Sequence, residues 1–292
     1  MAEKRNVLIT GCSTGIGRRL LDEFCREEFR VFATVREPTL DAFRATLEGR
    51  YCEIIPYTLD VTDHDNGTQV VRDIESKYGS VDILINNAAI SYRTVVEEMS
   101  DPDEAIQMAT NYMGPMHLIR MVLPGMRKKK CGHIINISSV GGMMAMPTMS
   151  AYSASKFALE GASESLWYEV RPFGIQVTLV RPGFIKSNAF RKVRHGEGIN
   201  TRNKHGAYYH HYYHMSGFIE KLMLRTPCTP ESAAHMIYKV SCMKNPPLRV
   251  AGTPDARFFY YLRRMLPRRF YHWLLYRSLP GIKTWGKEAS SE

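Results

Sequence analysis

The chain has 292 residues, 44% of them hydrophobic, and a formal net charge of +10. This suits one large α/β domain with a substantial core and does not force a split into two. No stretch approaches the roughly 20 apolar residues of a membrane-spanning helix, and no apolar leader follows the charged start, so a cytoplasmic protein is expected.

Strand-like apolar runs fall at 6–10, 30–35, 53–59, 81–86, 133–137 and 175–180, with a seventh at 248–251. Helical patterns fill the gaps at 16–24, 63–78, 103–123 and 152–171. In the first, Ile16, Leu20, Leu21 and Phe24 share one face. The second, 63–78, begins soon after strand three at a good N-cap, Asp63. Alternation of this kind predicts a doubly wound parallel sheet of seven strands, covered by helices on both faces. Residues 1–187 form the expected cofactor-binding and catalytic core of a single domain.

The segment 188–225 breaks the pattern. It is basic and tyrosine-rich, and it reads as an irregular lid over a binding site. Residues 255–288 form a basic amphipathic extension, with Arg263, Arg264, Arg268 and Arg269 among Phe258, Tyr261 and Trp273, interrupted at Pro267 and Pro280. Such an extension either lies on an anionic membrane surface or packs on the domain or a second subunit. The tail 289–292 is expected to be disordered. The six cysteines are scattered with no CxxC pair, which predicts reduced thiols rather than disulfides or zinc.

Between the first strand and first helix lies Thr10-Gly11-Cys12-Ser13-Thr14-Gly15-Ile16-Gly17. Glycines there permit a tight turn and let backbone approach a diphosphate, which the helix N-terminus favours. The second strand ends at Arg36 with no acid in place, which favours the 2′-phosphate of NADP(H) over NAD(H), although an ordinary surface arginine would look the same. Asp60 and Val61 end the third strand and could bracket an adenine; Asn86-Asn87-Ala88-Ala89 ends the fourth and could approach the ribose.

The chemistry sits in Tyr152-Ser153-Ala154-Ser155-Lys156, thirteen residues after Ser139. Hydride transfer to a carbonyl needs an adjacent proton donor. Tyr152 and Lys156 share one helical face, and an ammonium beside a phenol is expected to lower its pKa. Ser139, or its neighbour Ser138, would stabilise the developing alkoxide.

With these motifs, the chain resembles the short-chain dehydrogenase/reductase family over residues 5–187. The resemblance implies catalytic roles for Asn111, Ser139, Tyr152 and Lys156, with Asn111 holding a water that links Lys156 to solvent. It implies cofactor contacts by Pro182, Gly183, Ile185 and Ser187, and by Lys156 to the nicotinamide ribose. Ala89 stands where the family usually has glycine, and the glycine-rich loop carries no basic residue. The runs Ser139-Val140-Gly141-Gly142 and Ala154 to Gly161 resemble the 17β-hydroxysteroid dehydrogenase type 1 and retinol dehydrogenase branch. By that resemblance the substrate is an apolar alcohol or carbonyl, steroid, retinoid or lipid-like, and the protein is a homodimer or homotetramer.

Met143, Met144, Met146 and Met149 read either as pocket wall or as core. His210, His211 and His214 have metal-compatible spacing, but no second ligand cluster accompanies them and no metal is expected. No nucleic-acid-binding signature accompanies the basic charge. The alternative to an enzyme is a cofactor-sensing protein on the same fold; the presence of both Tyr152 and Lys156 argues against it.

Overall fold

The computed structural model describes residues 3–49, 52–187, 193–196 and 198–287. Its strands are β1 (Arg5–Ile9), β2 (Phe29–Val35), β3 (Glu53–Thr58), β4 (Ile83–Asn86), β5 (Gly132–Ile137), β6 (Ile175–Arg181) and β7 (Arg249–Ala251). The helices of the first half are α1 (Gly15–Glu23), α2 (Leu40–Ala45), α3 (His64–Tyr78), α4 (Asp101–Met108) and α5 (Gly114–Lys129). Those of the second half are α6 (Ser150–Val170), α7 (Tyr209–Arg225), α8 (Pro230–Ser241), α9 (Pro254–Met265) and α10 (Arg268–Ser278).

The strands pair in the order 3-2-1-4-5-6-7, every pair parallel. This is the doubly wound, Rossmann-type arrangement expected from the alternating pattern. The order reverses between β1 and β4, which opens a crevice at the C-terminal ends of the central strands.

Alternation along each strand assigns residues to two cores. Val7 and Ile9 of β1 and Val31 and Ala33 of β2 face Leu20 and Leu21 of α1 and Ala234 and Ile237 of α8. Leu8 and Phe32 point the other way, onto Ile74 of α3, Leu118 and Ile119 of α5 and Leu166 of α6. At the sheet centre, Asn86 Nδ2 donates to Asn136 Oδ1 at 2.8 Å, and Asn136 Nδ2 donates to Ser163 Oγ at 2.8 Å. This chain of buried amides joins β4, β5 and α6 without leaving those donors unpaired. Asp63 caps α3 as its sequence position predicts, accepting from Asn66 N at 2.9 Å.

Three expectations are corrected. The helix read at 103–123 runs from α4 through α5, but with a π turn at Ala109–Met113 between them. The insert is not irregular throughout: α7 occupies its second half and buries Tyr212, Met215 and Ile219, one stripe hidden by the polar and aromatic composition around it. Cys25 and Cys52 form a disulfide and are not free thiols. β2 and β3 are parallel neighbours, with Arg30 opposite Glu53, so the segments entering them run side by side; a separation of 27 residues gives no hint of this. The helices α2 and α8 add to the four helical patterns legible in the sequence.

Residues 188–192 and 197 of the insert, and the tail 289–292 expected to be disordered, lie outside the described residues. No helix among the described residues is long and apolar enough to cross a membrane.

Candidate active site

The glycine-rich turn leaves β1 with Gly11 at φ +73° and Gly15 at φ +62°, left-handed values that disfavour any side chain. A Cβ on Gly17 would lie 2.2 Å from Gly11 O, so α1 can approach the turn only with glycine there. Asn87 Nδ2 donates to Thr10 O at 2.9 Å and to Gly11 O at 3.1 Å, while Thr10 Oγ1 accepts from the N–H groups of Asn87 and Ala88, each at 3.0 Å. The end of β4 thus braces the turn. Ser13, Thr14 and Gly15 remain exposed, and the N-cap Thr14 makes no side-chain capping bond to α1. The helix presents uncapped N–H groups and a positive dipole end to the crevice, which suits a diphosphate. Ile16 is half-buried and anchors the helix on the core.

Arg36 is exposed at the end of β2. The neighbouring Glu37 carboxylate accepts from Thr58 Oγ1 at 2.7 Å and so turns toward β3. Asp60 is also exposed, and its Oδ1 accepts from the N–H and hydroxyl of Thr62 at 2.9 and 2.7 Å. Val61 is buried, and its carbonyl packs so closely on Gly114 that a Cβ there would stand 2.4 Å away.

Asn111 lies in the π turn and is buried. Its Oδ1 accepts from Ile90 N at 3.0 Å; its Nδ2 donates to Ile90 O at 3.0 Å and to Ser155 Oγ at 3.1 Å. Ser155 Oγ in turn donates to Tyr152 O at 2.7 Å. Asn111 therefore ties the chain after β4 to the first turns of α6. π turns inside helices occur often at functional sites.

Ser139 and Tyr152 line one cavity of about 160 Å³ at the C-terminal edge of the sheet. Ser138 does not share it: its hydroxyl is buried, close behind Gly142. Ser139 Oγ accepts from Gly141 N at 3.0 Å. Lys156 stands behind the tyrosine, its Nζ 6.0 Å from the ring centroid, and donates to Ile137 O at 2.8 Å.

The electrostatics differ from the simple expectation of a lowered phenol. Burial pushes the Tyr152 hydroxyl above the ordinary tyrosine value, and hydrogen bonding to Ser139 and the charge of Arg93 only partly oppose it. The same burial pulls Lys156 down to about 8, with the Glu160 carboxylate pulling the other way. Burial is thus the largest influence on both groups. Glu160 is itself held by Arg181, whose Nε donates to Oε1 at 2.7 Å, a buried pair linking α6 to β6.

Pro182 O accepts from Val140 N at 2.8 Å, which joins the end of β6 to the serine loop. Gly183 N donates to Thr253 Oγ1 at 2.8 Å and Phe184 N donates to Asp255 Oδ2 at 2.9 Å. These bonds fix the strand end to the first turn of α9. Ile185 is buried and Ser187 half-buried just beyond. The two readings of the methionines divide: Met146 and Met149 line the cavity, while Met143 and Met144 pack into a core with Ala256 and Tyr271. His211 packs against Trp285 in a tilted arrangement with centroids 4.2 Å apart, and His214 Nε2 lies 3.1 Å from Thr284 Oγ1.

The cavity wall also holds Arg93, Phe184, Val193, Ile219 and Met223, none of which the sequence singled out. Ile219 lies on the buried stripe of α7, a periodicity that could have flagged it. Arg93 carried no signal, because an arginine in a polar loop normally reads as solvated surface.

A parallel sheet with a glycine-rich crevice and a serine and tyrosine facing one cavity defines a dinucleotide-dependent oxidoreductase architecture. Comparison with known proteins agrees: residues 5–198 match the short chain dehydrogenase family, and the chain belongs to it. It is 36% identical over 253 residues to a 3-ketodihydrosphingosine reductase of Bacteroides thetaiotaomicron, covering 85% of this chain and 87% of that protein. It is 32% identical over 257 residues to human retinol dehydrogenase 8, covering 85% and 81%, and so falls near the retinol dehydrogenase branch. A short-chain dehydrogenase from Streptomyces avermitilis superposes with a TM-score of 0.76 at 31% identity, covering 94% of this chain and 97% of that one.

Proposed function

We propose that the protein is an NADP(H)-dependent reductase of a carbonyl on a largely apolar, lipid-like substrate. The observation that carries this reading is the meeting of Ser139 and Tyr152 in one cavity walled by Met146, Met149, Ile219 and Met223. The glycine turn, the uncapped start of α1, Arg36 and the strand ends at Asp60, Asn87 and Pro182 form a cradle that fits an extended dinucleotide. When bound, that cofactor supplies the hydride.

The chain's own residues do the rest. Ser139 donates a hydrogen bond to the substrate oxygen. Tyr152, a phenol protonated at neutral pH and held more firmly so by burial, gives its proton to the oxygen as negative charge develops. Lys156 lies behind the phenol and stabilises the phenolate left after transfer. Asn111 holds α6 in register through Ser155. Val193, Ile219 and Met223 line the cavity, where they cover the substrate and exclude water.

Oxidation of NADPH against steroid, retinoid, fatty-aldehyde and quinone panels tests the reading. Turnover of at least one apolar carbonyl is expected. Tight NADPH binding with no turnover across all four would favour the cofactor-sensing alternative.

The second element of the proposal concerns α9 and α10. Phe258, Met265, Trp273 and Tyr276 are 59, 76, 52 and 60% exposed, among the arginines of the same helices. This supports contact with an anionic membrane surface, from which a lipid-like substrate could be drawn. The arm cannot simply be cut away, because Ala256 and Tyr271 belong to the core beside the site. Replacing Phe258, Met265 and Trp273 by serine leaves those contacts intact. The triple variant is expected to lose most co-sedimentation with phosphatidylserine-containing vesicles, and equal sedimentation of both proteins would remove this part of the proposal.

A further inference from the structure

Beyond the weak pull of its charge on Tyr152, Arg93 has no role in the chemistry described above, yet its position is tightly specified. Its N–H donates to Arg194 O at 2.8 Å and its carbonyl accepts from the His195 ring at 2.9 Å. The adjacent Thr94 bridges to Met149, and its hydroxyl accepts from Gly196 N at 3.0 Å. The loop is therefore clamped between the insert and the start of α6, which fixes the direction of the side chain. That side chain lines the cavity with Ser139 and Tyr152 and is only 7% exposed. Among the described residues its guanidinium has no carboxylate partner and its Nε no hydrogen-bond partner.

A shielded cation without a counter-charge is costly, and removing it would ordinarily stabilise a fold. Functional sites are where such costs persist. The rest of the cavity wall is mostly apolar, so among the described residues the guanidinium is its one charged group, beside the hydroxyls of Ser91, Ser139, Ser153 and Tyr152. A planar fork with several donors matches an oxyanion in two-point fashion.

We infer that Arg93 recognises an anionic group, a carboxylate or phosphate, carried by the substrate close to its reacting carbonyl. The substrate class is then an amphiphile: an apolar body along Met146, Met149, Ile219 and Met223, and a charged head at Arg93. This deepens the carbonyl-reductase reading and rests on it.

The test compares wild type with Arg93→Met and Arg93→Lys. Rates with NADPH are measured for 2-oxo-, 4-oxo- and 6-oxodecanoate, each against its methyl ester. Wild type is expected to prefer at least one acid over its ester. In Arg93→Met that acid-to-ester ratio of kcat/KM should fall roughly 10- to 150-fold, the range for a hydrogen bond to a charged group. Arg93→Lys, which keeps the charge without the fork, should lose less. Calorimetric binding of decanoate, which cannot react, should weaken in parallel, while the melting temperature of Arg93→Met stays level or rises.

An acid-to-ester ratio and decanoate affinity unchanged within about threefold would overturn the inference. So would a shifted pH profile with an unchanged ratio, since Arg93 would then act on the Tyr152 phenol. If wild type reduces none of these carbonyls but decanoate binding still depends on Arg93, the anion site stands and the reductase reading fails.

Discussion

Tyr152→Phe is expected to lower kcat for carbonyl reduction by about 1,000-fold or more, within the range for loss of a positioned acid. NADPH affinity should stay within about threefold of wild type, because the ring is kept and only the hydroxyl is lost. The ring matters to the fold: a Cβ on Gly141 would stand 2.9 Å from Tyr152 Cε1, so the serine loop packs directly on it. Phenylalanine preserves that packing. Stopped-flow turnover and fluorescence titration with NADPH separate the two quantities, and near-normal turnover would refute the acid role. The raised Tyr152 pKa also sets a direction with pH. The protonated acid persists through neutral pH and is lost as pH rises through the raised value. Reduction should therefore be flat around neutrality, and the reverse oxidation should climb with pH.

Arg36→Asp is expected to move the NADPH-to-NADH ratio of kcat/KM by on the order of 100-fold toward NADH. Two changes act together. The variant loses a charge-assisted pair with the 2′-phosphate, and it gains a carboxylate that repels the phosphate and accepts from a free ribose hydroxyl. Arg36 is exposed, so the effect should shrink as salt is added. Glu37 does not compensate, since its carboxylate is engaged by Thr58. A ratio unmoved by the substitution would take away the physical basis for assigning NADP(H).

Most of the fold was readable because its signals are local. Strand runs, the glycine turn and the Tyr152–Lys156 spacing each lie within a few residues of chain. The roles assigned to Asn111, Pro182 and Ser187 came from likeness to a family and not from spacing. What escaped depends on contacts between distant segments. Asp255 binds Phe184 N across 71 residues, and His195 meets the Arg93 carbonyl across 102. The Cys25–Cys52 pair required knowing that β2 and β3 are neighbours. The raised Tyr152 pKa escapes the sequence for a related reason. A helical spacing of four predicts that an ammonium and a phenol are close, but says nothing of how much solvent both have lost. Arg93 was the largest omission, because its meaning lies wholly in being enclosed.

The bonds from Gly183 and Phe184 to Thr253 and Asp255 make the last forty residues something other than an appendage. A chain shortened before Thr253 would release two amides at the mouth of the cleft and strip the backing from Met143 and Met144. Specificity should then be inherited with the C-terminal arm. Exchanging that arm between two members of the family would carry substrate preference with it, although no residue of the proton relay had been touched.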